Sequence, residues 1–137
     1  FSVFSRAAGY GSVGIVGQFQ ASRAGSSVID QIEDVEAVER IDAIAAVEDI
    51  DCLFIGRIDL TVALGADTPA HPSVVEAVER ICAAGAAAGR AIGMFVGDLQ
   101  EIPRWRAAGA SLFLLKSDQA FLLEGAQGLR AAFDGAG

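Results

Sequence analysis

The sequence predicts an α/β fold in which four consecutive strand–helix units build a parallel sheet. Three observations carry that expectation. Short apolar runs, closed by polar residues or glycine, recur at 28–32, 52–55, 91–96 and 111–115. The stretches between them place apolar residues at helical spacing behind capping residues. The second run, Cys-Leu-Phe-Ile, has no polar face, as befits a strand covered on both sides.

Residues 1–27 precede this alternation as a lead-in rich in Gly, Ser and Ala, with Phe1, Phe4, Tyr10 and Phe19 interspersed. They read as loop and short helical turns. Within them, Gly9-Tyr10-Gly11-Ser12-Val13-Gly14 spells G-x-G-x-x-G. A dinucleotide fingerprint needs a strand before it and a helix opening on it. Gly17 interrupts the place of that helix, so a structural glycine-rich loop is the better reading.

Residues 28–137 form the domain proper. The strand at 28–32 leads into Gln31 and Glu33, which share a face because strand side chains alternate. Asp34 caps a helix over 35–47, with Val38, Ile41 and Ala45 along one side. After the strand at 52–55 comes a loop at 65–72. Ser73, with Glu76 three residues on, makes a capping box for a helix to Ala88 striped by Val74, Val78, Ile81 and Cys82. The strand at 91–96 follows. Asp98 and Glu101 start a short helix reaching Ala108, with Pro103 tolerated in its first turns. The strand at 111–115 precedes a last helix over 119–133, carrying Leu122, Ala126, Leu129 and Phe133 on one side. Four such units suit either a doubly wound sheet or half of a (β/α)8 barrel, whose inner face and edges need cover.

Composition narrows the function. The chain has 137 residues, is 53% hydrophobic and carries a net charge of −8. That core-forming content argues against disorder, and the acidic balance argues against a nucleic-acid surface. No run approaches the ~18–20 apolar residues that span a bilayer, and no signal-peptide pattern opens the chain, so a cytoplasmic location is the default. Cys52 and Cys82 lie inside apolar patterns without metal-type spacing and read as buried, reduced thiols.

In parallel α/β folds, ligands bind where strands end. The stretch 52–64 is informative there, because an apolar strand meets Gly56 and then a carboxylate, Asp59. Glu33 ends the preceding strand, so the two carboxylates belong to neighbouring strand ends. Together they suit Mg²⁺ or Mn²⁺, hard ions that retain water and take substrate oxygens. Spacing alone leaves open a surface acid at Glu33 and a helix cap at Asp59. Asp98 and Asp118 each precede a helical pattern and read as N-caps. Lys116, the single lysine, is either a Schiff-base lysine or, on the favoured reading, a solvent-reaching partner of Asp118. His71 stands alone in a loop, with no nucleophile elbow to support a hydrolase triad.

The succession Gln31-Ile32-Glu33, Phe54-Ile55-Gly56-Arg57-Ile58-Asp59-Leu60, Leu64-Gly65 and His71-Pro72 resembles the HpcH/HpaI family of metal-dependent pyruvate aldolases. The resemblance runs from about Tyr10 to the C-terminus and implies strands five to eight, the C-terminal half of a (β/α)8 barrel. It implies Glu33 and Asp59 as ligands of Mg²⁺, Mn²⁺ or Co²⁺. Gln31, the Ile58 backbone and Asp59 would contact the pyruvate moiety. The implied reaction cleaves a 2-keto-4-hydroxy acid to pyruvate, or a close 2-oxo acid, and an aldehyde through a metal-stabilised enolate, in a trimer or hexamer. Alternatives are a citrate-lyase-like enzyme acting on malyl or citryl thioesters, and a half-barrel that is catalytically incomplete without a partner chain. The family's histidine base and pyruvate-orienting arginine belong to the N-terminal half, and His71 is not their equivalent. Arg57-Ile58 stands where the family usually has Pro-Ala, either reshaping the carboxylate pocket or offering an anion-binding group.

Overall fold

A computed structural model describes residues 4–136, so positions 1–3 of the expected lead-in lie outside the described residues. Among the described residues the strands β1 (Ile29–Ile32), β2 (Cys52–Ile55), β3 (Ala91–Val96) and β4 (Leu112–Leu115) form one sheet in the order β1-β2-β3-β4. Every neighbouring pair is parallel, and the register sets Gln31, Phe54, Gly93 and Leu112 in one row. The helices are α1 (Ile15–Gly25), α2 (Val35–Glu39), α3 (Ile41–Ala45), α4 (Arg57–Ala63), α5 (Pro72–Ala88), α6 (Ile102–Ala107) and α7 (Asp118–Asp134).

The pleat divides the sheet residues between two faces. Ile32, Leu53, Ile55, Ile92, Met94 and Val96 point to the helical side and are buried. They meet Ile41, Leu60, Val74, Val78, Ile81 and Trp105 in the core. Arg90 closes that side by donating to the carbonyls of Ala45, Val47 and Glu48, which end α3 and begin its loop. On the other face Ile29, Phe95, Leu112 and Leu114 are exposed. Gly93 lies there against Phe54: an added Cβ would sit 2.7 Å from the Phe54 ring.

Several elements depart from expectation. The lead-in contains the eleven-residue helix α1, with Gly17 inside it. The surrounding Gln18, Gln20, Ala21, Arg23 and Ala24 favour helix enough to offset the ~1 kcal/mol that an interior glycine loses against alanine. A 3-10 helix over Arg6–Gly11 precedes it, so no strand leads into the glycine motif. The helix expected over 35–47 is two short ones, broken where Arg40 adopts φ −100°, ψ 12°. Helix α4 was not anticipated. Its buried residues Arg57, Leu60 and Thr61 fall at i, i+3 and i+4, a pattern too short to stand out. The caps also move by a residue or two. His71, whose Nδ1 accepts from the Ser73 N–H, caps α5 in place of Ser73. Ser117 caps α7 in place of Asp118, which accepts from Gln119 N–H. Cys52 and Cys82 are buried and unpaired, as expected.

Candidate active site

Three strand ends meet at one rim of the sheet. β1 runs out into Glu33, β2 into Gly56 and the start of α4, and β3 into Gly97 and Asp98. They surround a cavity of about 560 Å³ whose lining includes Gln31, Phe54, Ile58, Asp59, Pro69, Phe95 and Asp98.

The β1 end is ordered by its own side chains. Gln31 Nε2 donates to Glu33 Oε2 at 2.5 Å, which turns the amide oxygen of Gln31 away from Glu33 and leaves it free to accept. Gly56 makes room for this pair. An added Cβ there would lie 2.8 Å from Glu33 Cβ and 3.3 Å from both Gln31 Nε2 and Glu33 Oε2. Its N–H meanwhile donates to the Ile32 carbonyl at 2.9 Å, holding the two strand ends together. Glu33 thus packs against the Gly56 backbone at the cavity's edge, while Gln31, Ile58 and Asp59 line it.

Asp59 is an exposed first-turn residue of α4 and not a strand residue. Nor is it a helix cap, because Gly56 holds that position. Ile58 projects beside it, 61% exposed. The oxygens these elements offer, the Glu33 and Asp59 carboxylates and the Gln31 amide, are hard donors of the kind that suits Mg²⁺ or Mn²⁺. Among the described residues no group of three or more His, Cys, Asp or Glu is placed to hold a metal ion. In donor chemistry these oxygens suit a hard cation that keeps positions for water and substrate.

Arg57 behaves differently from the anion-binding group that its place in the sequence suggested. Its side chain is 9% exposed, and its guanidinium pairs bidentately with Glu101, at 2.9 Å for each bond. It also lies over the Trp105 ring, 5.1 Å from the centroid. Arg104 approaches the same ring at 4.6 Å and reaches Glu79 at 3.2 Å. A fork already filled by one carboxylate does not offer itself to a second.

The remaining candidates have structural roles. Asp98 caps the turn before α6, accepting from Gln100 N–H at 2.9 Å, as expected, and also borders the cavity. Lys116 reaches both oxygens of Glu124 at 2.7 Å, not Asp118, from a left-handed backbone with φ 58°. His71 is the cap of α5.

Sequence reasoning missed the aromatic walls, Phe54 and Phe95, and the wall formed by Thr68, Pro69 and Ala70. The period-2 pattern that placed Gln31 on the inner face, extended across the sheet, would have found Phe54 and Phe95. The Arg57–Glu101 pair joins residues 44 apart and left no local signal.

A family model described as HpcH/HpaI aldolase/citrate lyase matches residues 6–135. The chain is similar to a 4-hydroxy-2-oxo-heptane-1,7-dioate aldolase of Salmonella arizonae, 36% identical over 107 residues, which cover 77% of this chain and 41% of that protein. Among solved structures it resembles a HpcH/HpaI aldolase/citrate lyase family protein from Burkholderia cenocepacia at a TM-score of 0.83 and 35% identity, covering 96% of this chain and 51% of that one. A HpcH/HpaI aldolase from Desulfitobacterium hafniense gives 0.75 and 30%, covering 88% and 48%. The chain therefore spans about half the length of the relatives it matches.

Proposed function

Because the chain belongs to the HpcH/HpaI aldolase/citrate lyase family, we propose that the complete protein is an aldolase cleaving a 2-keto-4-hydroxy acid to pyruvate, or a close 2-oxo acid, and an aldehyde. One observation carries the reading: Gln31, Ile58 and Asp59 line one cavity, and Glu33 packs against Gly56 at its edge.

In this reading the four strands are the fifth to eighth of a (β/α)8 barrel. The parallel order, the two open edges and the apolar exposed face with Ile29, Phe95, Leu112 and Leu114 support it. The remaining strands would cover that face and bring the acid–base group and the arginine that orients pyruvate. Assembly as a trimer or hexamer is part of the same proposal.

Glu33 and Asp59 would hold a divalent cation, Mg²⁺, Mn²⁺ or Co²⁺. When bound, it supplies Lewis-acid polarisation of the 2-oxo group and stabilises the charge developing there. Gln31 orients the 2-oxo acid, its own amide fixed by the bond to Glu33. The backbone at Ile58 holds the substrate carboxylate. Phe54, Phe95 and Pro69 supply apolar walls that exclude water from the reacting carbons.

The test is a Mn²⁺ titration of the complete protein beside Glu33→Gln and Asp59→Asn. Both substitutions should abolish metal binding, and chelation by EDTA should abolish aldol cleavage. Cleavage that survives EDTA would remove the metal from the proposal. Assaying free 2-oxo acids against malyl and citryl coenzyme A thioesters separates this activity from a citrate-lyase-like one, since turnover of thioesters alone would replace the aldolase reading.

A further inference from the structure

We propose that Arg57 is a positioning residue: through its fork to Glu101 it sets the turn that presents Ile58 and Asp59 to the cavity, an inference that rests on the aldolase reading above. Buried Leu60 anchors α4 to the core, with its N–H bonded to the Gly56 carbonyl at 2.9 Å, but the start of the turn is held by two tethers. Gly56 starts α4 with no side chain to cap it, and the backbone is tied to β1 by the bond from Gly56 N–H to Ile32. The next residue supplies the second tether. Glu101 belongs to the connection after β3, so the Arg57–Glu101 pair joins two neighbouring strand ends across the cavity that both residues line.

The geometry leaves the guanidinium one arrangement. Two parallel bonds fix its plane. The Trp105 ring, 1% exposed, lies 5.1 Å from it, where cation–π attraction favours the stacked position. Thr61 Oγ1 donates to the Arg57 carbonyl at 2.7 Å and fastens the backbone of the same residue into α4. Side chain and main chain of Arg57 are thus both held, and Ile58 and Asp59 follow directly.

Stability is a poor reason for such a pair. A nearly buried arginine loses hydration on folding, and apolar residues of similar volume usually serve the fold as well or better. Arg57 Nε and Trp105 Nε1 also find no acceptor among the described residues. What an arginine–glutamate fork adds, and an apolar contact lacks, is direction.

The experiment uses the complete protein with Arg57→Met and Glu101→Leu combined, which keeps bulk against Trp105, and Arg57→Lys alone, which keeps the charge but not the fork. Mn²⁺ affinity, the pyruvate KM for aldol condensation and thermal unfolding are measured, with Glu33→Gln as reference. The double variant should melt close to the parent, yet bind Mn²⁺ about tenfold more weakly with a raised pyruvate KM, since groups supporting metal ligands commonly contribute 10–100-fold. Arg57→Lys should shift the same way. It decides by the same titration if the double variant does not fold. Parent-like Mn²⁺ affinity and KM in the folded variant would overturn the positioning role and leave the aldolase reading intact. A parent that binds no Mn²⁺, or binds it equally after Glu33→Gln, would overturn the aldolase reading and this inference with it.

Discussion

Gly56→Ala tests whether close packing of two strand ends shapes the site. Gly56 has φ −81°, so alanine meets no left-handed strain, and the obstacle is space alone. The new Cβ would stand 2.8 Å from Glu33 Cβ, about 0.6 Å inside ordinary contact, the kind of overpacking that destabilises by roughly 1–3 kcal/mol. Two relaxations are available. β1 can move from β2, which strains the 2.9 Å bond from Gly56 N–H to Ile32. Alternatively Glu33 can turn away, giving up its bond from Gln31 at a further cost of about 1 kcal/mol. Either one moves the Glu33 carboxylate, which the proposed metal site needs in place. The thermal midpoint should fall by roughly 3–10 °C, taking about 2–4 °C per kcal/mol for a chain of barrel size. Mn²⁺ affinity by calorimetric titration should fall about 10–100-fold. A folded Gly56→Ala protein that binds Mn²⁺ as tightly as the parent would refute the reasoning, because the clash would then have been absorbed without moving Glu33.

Lys116→Ala should leave aldol cleavage largely intact and abolish no borohydride trapping, because the ammonium is occupied by Glu124. Its loss removes a partly exposed ion pair worth under about 1 kcal/mol. Substrate trapped by borohydride on the parent, and lost in the variant, would point to Schiff-base chemistry. Burial, and secondarily the charge of Glu79, pushes the Cys82 thiol up from 9.0 to about 11. The unfolded chain therefore releases this proton first as pH rises, and stability falls between those values. The loss is about 1.4 kcal/mol by pH 10. Denaturant unfolding at pH 8 and pH 10 should show that slope shrink in Cys82→Ala, and an unchanged slope would assign it to other groups.

The strands were legible because each is a short apolar run closed by a polar residue or glycine, and observed ends fall within a residue of expectation: 28–32 against Ile29–Ile32, and Ala91–Val96 as read. Helix starts were less so. His71 and Ser117 displaced Ser73 and Asp118 because adjacent capping residues compete for the same N–H groups, and backbone entry angle chooses between them. Gly17 read as a breaker because one glycine was weighed without its helix-forming neighbours.

For the site, the sequence alone pointed to which oxygen-bearing side chains stand at this rim: period-2 alternation puts Gln31 and Glu33 on one face, and chain order brings Asp59 in just after the neighbouring strand. Only the tertiary structure decided that Asp59 enters from a helical turn, that Gly56 yields its space to Glu33, and that Arg57 commits its fork to Glu101. Those outcomes depend on which residues far apart in the chain reach van der Waals or hydrogen-bond distance. Local periodicity carries no term for such contacts, which arise only when strands pack side by side.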